Sequence, residues 1–266
     1  MKRFIADLKK YWNYIKYQAK ADIKTEVIDS VLGWAWIIIE PLCFMLIYTF
    51  IAGTIFGSRT EYFPIFVYLG LTLWNFFNKT IVMSVKLVAS NRDIVTKVYV
   101  PKFVLLIEKM MVNFVKMCIS FSLVIIFMII YRVPLSWNIL LIIPILLVLI
   151  VVTFGFGTIF MHFGVFVEDL VNLTNIGMKV LFYLTGIFYS IIDKIPAPYN
   201  HYALAINPMA SLISGARFSL LHLNIGNKMY VFIPLCVWAL LGLLLSIIGI
   251  RTIYKYENTY VKVMKH

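Results

Sequence analysis

After residue 33 this chain is a succession of apolar segments, each near the length needed to cross a bilayer. In hydrocarbon every backbone N–H and C=O must find a partner inside the protein, so such segments fold as helices packed into a bundle. Hydrophobic residues make up 62% of the 266 positions and charged ones only 14%, more apolar surface than a soluble domain of this size hides. The fold class expected is therefore an all-α membrane protein. Its function is exercised in or across a membrane.

The apolar runs place six spans at 34–57, 64–88, 103–131, 139–163, 171–192 and 229–251. The formal net charge is +12, and its distribution carries the topology. Lys2, Arg3, Lys9, Lys10, Lys16, Lys20 and Lys24 precede the first span. Lys86, Arg92, Lys97 and Lys102 surround the second connection, and Arg251, Lys255, Lys262 and Lys265 end the chain. The positive-inside rule puts all three groups, and both termini, in the cytoplasm. Glu168 and Asp169 lie in a connector that only the alternation of spans places there. The basic residues flank spans and build no basic face on a soluble fold, which argues against nucleic-acid binding.

Residues 1–33 form a cytoplasmic segment, and 34–266 the transmembrane domain. Phe4, Leu8, Tyr11, Trp12, Ile15 and Ala19 share one arc at helical spacing, with Lys9, Lys10, Lys16 and Lys20 elsewhere. That pattern fits a helix lying in the membrane interface, or one packed on a soluble partner. About thirty polar and amphipathic residues ahead of the first span leave it as an anchor, not a cleaved signal.

Segment 193–228 is too polar for a clean span and too apolar for a solvated loop. Asp193, Pro196, Pro198 and Asn207-Pro208 interrupt it, so short re-entrant helices between spans five and six are expected, as a plug or as a gate. Cys43, Cys118 and Cys236 lie in apolar spans without ligand spacing and read as small packing residues. Gly53-x-x-x-Gly57 is a single weak helix-packing motif. Lys79, near Asn75 and Asn78, reads as a snorkelling or buried polar contact, or as part of a polar conduit.

No chemistry-bearing constellation emerges. A phosphate-binding G-x-x-x-x-G-K loop is absent, the four histidines are scattered, and no nucleophile arrangement or metal-ligand spacing appears. No catalytic, cofactor-binding or metal site is therefore expected. Acidic residues do not cluster mid-span, which argues against a proton-coupled carrier. Phe182, Tyr183, Phe188 and Tyr189 form an aromatic stretch of the kind that packs, or that lines a path for sugar rings.

Ser30-x-Leu32-Gly33-x-x-Trp36-x-x-x-x-Pro41 resembles the start of the membrane subunits of ABC exporters for polysaccharides and polyol phosphates, the O-antigen and wall teichoic acid permeases. Gly70-x-x-x-Trp74, Asn91 to Pro101 (NRDIVTKVYVP), Phe166 to Asp169, Phe182 to Tyr189, and Asn207-Pro208 with Arg217 follow in the family's order. Many relatives have Arg-Asp where this chain has Glu168-Asp169, so Asp169 alone keeps that pattern.

The resemblance implies a permease in the bacterial cytoplasmic (inner) membrane. It would pair with a second copy of itself and two separate ATPase subunits, which would bind the ATP and Mg, and move a lipid-linked glycan or polyol phosphate such as O-antigen or teichoic acid. Segment 89–102 would be a coupling helix docking in the ATPase, through Asn91, Arg92, Asp93, Lys97 and Pro101. Asp169 would mark a cytoplasmic elbow. Phe182, Tyr183, Phe188, Tyr189, Asn207, Pro208 and Arg217 would belong to a channel or gate, with 193–228 at the outer mouth. For Arg217 three roles stay open: a substrate phosphate, a helix cap, or lipid headgroups. Rival readings are export of a small amphiphile, drug or lipid, an intramembrane transferase, and an assembly protein without transport activity.

Overall fold

The structure is a computed structural model and describes residues 2–28, 33, 35–55, 62–222 and 228–265. Twelve α-helices follow in order among these residues: α1 (Lys2–Ile28), α2 (Ala35–Phe50), α3 (Phe63–Ser90), α4 (Arg92–Lys97), α5 (Lys102–Ile130), α6 (Ile142–Gly164), α7 (Leu170–Leu184), α8 (Ile191–Lys194), α9 (Tyr199–Ile206), α10 (Pro208–Leu221), α11 (Met229–Lys255) and α12 (Glu257–Lys265). No strand occurs among the described residues, and the chain is an all-α multi-pass membrane protein. Ser30 and Leu32 of the first resembling motif, and Gly57, lie outside the described residues.

Helix α3 is the axis of the bundle. Its apolar window is 78% buried, whereas the other long spans bury a third of theirs or less. The apolar residues those spans leave exposed, such as Leu46 and Ile47 on α2, Ile129 on α5 and Leu240 and Leu244 on α11, form the outside that lipid solvates. Cys43, Cys118 and Cys236 are exposed on this outside, so they are not the packing residues expected of small thiols in apolar spans. Apolar sequence alone does not reveal which face of a span looks inward.

Close helix approach rests on glycines other than Gly53, whose surroundings are open. Helices α6 and α11 meet where a Cβ on Gly155 would stand 2.7 Å from the Gly242 carbonyl oxygen, and a Cβ on Gly242 3.1 Å from Val152 Cα. Without a hydrophobic drive between helices in lipid, this backbone-to-backbone packing is the cohesive term. Gly242→Val is expected to cost about 1–3 kcal/mol by overpacking. A lowered melting temperature in detergent would show it, whereas the same change at Gly53 should be neutral.

Five helices are long and apolar enough to cross a membrane, and a sixth crossing counts only if the bent α9–α10 pair is one span. The fifth expected span, 171–192, is shorter than its apolar run. Helix α7 stops at Leu184, giving 15 residues and a length of roughly 22 Å. Thr185 folds its hydroxyl back onto the Leu181 carbonyl at 2.6 Å, and Gly186 takes a left-handed φ of 69° that turns the chain away. Helices α9 and α10 then bend by 103° at Asn207-Pro208. Asn207 caps α10 by accepting from the Met209 and Ala210 N–H groups, at 3.0 and 3.3 Å. Proline at the first helical position costs no hydrogen bond.

Candidate functional site

Three regions carry polar chemistry: the helical elbow beside the chain termini, a charged seam rising from it, and the bent pair at the opposite end. At the elbow, Asn91 ends α3, its Nδ2 donating to the Leu87 carbonyl at 2.8 Å. Helix α4 follows, with Val95 buried beneath it and Arg92, Asp93 and Lys97 exposed. Asp93 and Lys97 approach to 3.7 Å but remain 91% and 75% exposed, a pair worth little to the fold and open to a partner. Pro101 is buried and starts α5.

The elbow is tied to both ends of the chain. Tyr99 donates its hydroxyl hydrogen to Glu257 Oε2 at 3.1 Å and accepts from Arg3 Nη2 at 2.7 Å. Tyr11 donates to the Tyr99 carbonyl at 2.9 Å, and Tyr254 to Asp7 Oδ2 at 2.6 Å. Phe4 packs on Phe103 with ring centroids 4.8 Å apart, while Ile15 and Ala19 are fully covered. The apolar arc expected of α1 thus faces the bundle, except Trp12, which is exposed. Burial, then the neighbouring Glu257 carboxylate, raises the Tyr99 phenol above its ordinary value. Glu257 is buried and Lys102 beside it is fully covered, so this carboxylate faces two cations and a phenol.

Sequence reasoning missed this cluster. Its members are separated by up to 254 residues and share no local pattern.

Along the seam, Lys109 pairs with Asp22 and lies 3.6 Å from Glu108. Lys116 pairs with Glu26, and Lys79 with Glu40 at 3.3 Å. Burial alone would raise Asp22, but the Lys109 ammonium holds its carboxyl below the usual range. Asp169 is exposed beside Glu168 at the start of α7 and makes no side-chain cap.

At the opposite end the aromatic stretch is largely stitched into the bundle. Phe182 packs on Trp74 at 5.5 Å and on Phe188 at 5.3 Å, and Phe188 stacks on Tyr48 at 3.4 Å. Tyr189 donates to the Tyr183 carbonyl at 3.0 Å, while the Tyr183 ring stays exposed. Asn207 Nδ2 donates to Thr185 Oγ1 at 2.9 Å, and Pro208 is buried.

Arg217 is wrapped completely. It donates to the carbonyls of Phe66 (3.1 and 3.2 Å), Gly186 (2.8 Å) and Ile187 (2.7 Å), and its guanidinium carbon lies 3.3 Å from the Phe66 ring centroid. This geometry commits four of the five guanidinium donors to backbone carbonyls and buries the side chain, which disfavours the phosphate and headgroup roles. A Cβ on Gly70 would come within 2.8 Å of Arg217 Nη2. Gly70 is the space Arg217 needs, a physical reason for one motif in the other's presence.

The family model for the ABC-2 type transporter matches residues 17–221. The chain belongs to the ABC-2 type transporter family. Two O-antigen export system permease proteins RfbA of Klebsiella pneumoniae are similar to it, 28% identical over 246 residues and 25% over 244, covering 91% of this chain and 92% of each relative. An O-antigen export system permease protein RfbA of Myxococcus xanthus is 23% identical over 214 residues, 80% of this chain and 82% of the relative. Within this ABC-2 transporter the matched region spans the seam, α4 and the bent pair. Arg3 and Glu257 lie on either side of it, so the cluster that ties down the elbow is built by the flanks.

Proposed function

We propose that this chain is the permease subunit of an ATP-driven exporter that moves a lipid-linked polysaccharide or teichoic-acid-type polymer across the bacterial cytoplasmic membrane. It works as two copies with two separate ATPase subunits that hydrolyse ATP, and both of its termini are cytoplasmic. The similarity to O-antigen permeases over nine-tenths of the chain supports the cargo class.

The observation that carries the mechanism is α4: a short helix pinned by buried Val95 and Pro101 that presents Asp93 and Lys97 outward. Helix α4 joins α3, the buried axis, directly to α5. A push on α4 from a closing ATPase therefore moves the axis and everything packed on it, a rigid-body switch that opens a path between protomers. Helix α1 lies beside this elbow with its apolar arc on the bundle, and helices α8 to α10 close the outer mouth.

The test is co-purification of the tagged chain with its ATPase, wild type against Asp93→Ala/Lys97→Ala. Removing two rim charges is expected to reduce recovered ATPase about tenfold while leaving the permease monodisperse. Undiminished recovery moves docking away from α4, and absence of any ATPase in the wild type removes the exporter reading.

A second reading, export of a small amphiphile or lipid, draws on an apolar groove of about 560 Å³ bordered by Trp12, Met110, Met111, Phe154 and Ile250. Transport of such a molecule by the reconstituted complex, with no polymer export, would favour it.

A further inference from the structure

Four lysines form a ladder on facing edges of two spans. Lys79 and Lys86 are seven residues apart on α3, and Lys109 and Lys116 seven apart on α5, which runs the other way. Seven residues climb ~10 Å and return to nearly the same face. The antiparallel order brings Lys86 level with Lys109, and Lys79 level with Lys116. Each pair borders a cavity. The lower one, of about 580 Å³ at the elbow end, is lined by Lys86, Lys109, Asn91 and Asn175. The upper one, of about 240 Å³ deeper in the bundle, is lined by Lys79, Lys116, Asn75 and Trp36. Asn113 bridges the two levels, donating to Thr80 Oγ1 at 3.0 Å with Met83 Sδ at 3.9 Å. On α3, otherwise mostly buried, the exposed residues are Lys79, Met83, Lys86, Ala89 and Ser90, and the two lysines lie among them.

Lysines at this depth are costly unless paired or used. Three are paired, and apart from Glu108, which neighbours Lys109 on α5 itself, the carboxylates come from the covering helices: Asp22 and Glu26 from α1, and Glu40 from α2. Glu26 and Glu40 are half exposed, at 50% and 51%. Lys86 has no carboxylate partner among the described residues, although its cavity has room for one. The lower cavity therefore holds one ammonium, Lys86, free of an ion pair beside the paired Lys109, and the ammonium groups at the upper cavity are held by removable counter-ions. A multiply charged anion engages two ammonium groups at once, which a single carboxylate on a neighbouring helix does not.

We propose that this ladder is a two-level binding site for a phosphate or diphosphate group, taken first between Lys86 and Lys109 and then between Lys79 and Lys116, with Glu26 and Glu40 displaced as it rises. The site rests on the exporter reading for its biological role, since a lipid-linked cargo carries such a group at the lipid junction. The amides of Asn75, Asn91 and Asn175 supply neutral hydrogen bonds to the remaining oxygens, and the Trp36 ring offers a flat wall to the adjoining sugar.

The test measures binding of farnesyl diphosphate, inorganic pyrophosphate and farnesol to the full chain in nanodiscs. Diphosphate binding is expected, with at least ~10-fold loss in Lys86→Gln and in the charge-neutral pair Lys79→Gln/Glu40→Gln. Lys86→Gln removes no ion pair, so its melting temperature should hold and its affinity loss is not a folding defect. Tighter binding of farnesyl diphosphate than of pyrophosphate assigns the site to a lipid headgroup, and equal affinities assign it to a free anion; both support it. Equal binding of farnesol, or unchanged affinity in both variants, overturns it. Failure here with the ATPase complex intact removes the ladder and leaves the exporter reading standing. Loss of the ATPase complex with diphosphate still bound does the reverse.

Discussion

Arg217→Ala is expected to cost the permease its folded state, not merely its transport. The side chain fills four hydrogen bonds to three backbone carbonyls at the turn after α7 and the start of α3. The Phe66 carbonyl keeps its helical bond within α3, but those of Gly186 and Ile187 lose their buried partner, and each acceptor left unpaired costs about 1–3 kcal/mol. The total is about 2–6 kcal/mol, a large share of the stability of an entire domain. Loss of the monodisperse peak in size-exclusion chromatography, or a collapse of the melting temperature, is the expected readout. Arg217→Lys should rescue little, because one ammonium cannot span three acceptors held by a planar fork. Gly70→Ala should move stability in the same direction by less, since its Cβ crowds Nη2. A variant that folds normally and fails only in export would return Arg217 to the substrate path.

Glu257→Gln is expected to release both ends of the chain from the elbow. Its carboxylate takes the Tyr99 hydroxyl and the Arg3 guanidinium and lies by buried Lys102. The amide keeps the shape and loses the charge, leaving Lys102 uncompensated. Breaking a buried charged arrangement on one side costs about 3–5 kcal/mol, less here because Arg3 is exposed. Backbone amides of α12 and the first turns of α1 should exchange hydrogen at least ~10-fold faster, as local opening becomes easier. The middle of α3 should be unaffected. If the exporter reading holds, the same variant is expected to hydrolyse ATP with less transport per turnover, because α4 would move without its neighbours. Unchanged exchange in α1 and α12 would show that Phe4, Ile15 and Tyr260 hold these helices without the charge cluster.

Particular residues show how far a one-dimensional reading reaches. The apolar runs located the spans because hydrocarbon accepts only internally bonded backbone. They overran at the fifth, where Gly186 and Thr185 end α7 within a segment that stays apolar. The Asn207-Pro208 pair announced its own break, since a cap and a first-turn proline act within four residues. Arg217 stands in the sequence only as part of a family motif with three roles open, because its three carbonyl partners lie on other segments. The glycine contact of α6 with α11 left no usable mark: Gly155 and Gly242 are ordinary singly, and Gly53-x-x-x-Gly57 looked better on spacing.

The sequence by itself determined that this protein is a helical membrane bundle with a basic connection between its second and third spans, because apolar length and charge bias are local properties; the short helix in that connection was implied only by the family resemblance. Only the tertiary structure decided which lysines face one another, which glycines let backbones touch, and that Arg3, Tyr99 and Glu257 meet. Those are contacts between distant segments, and their free energy exists only once the helices have taken their places.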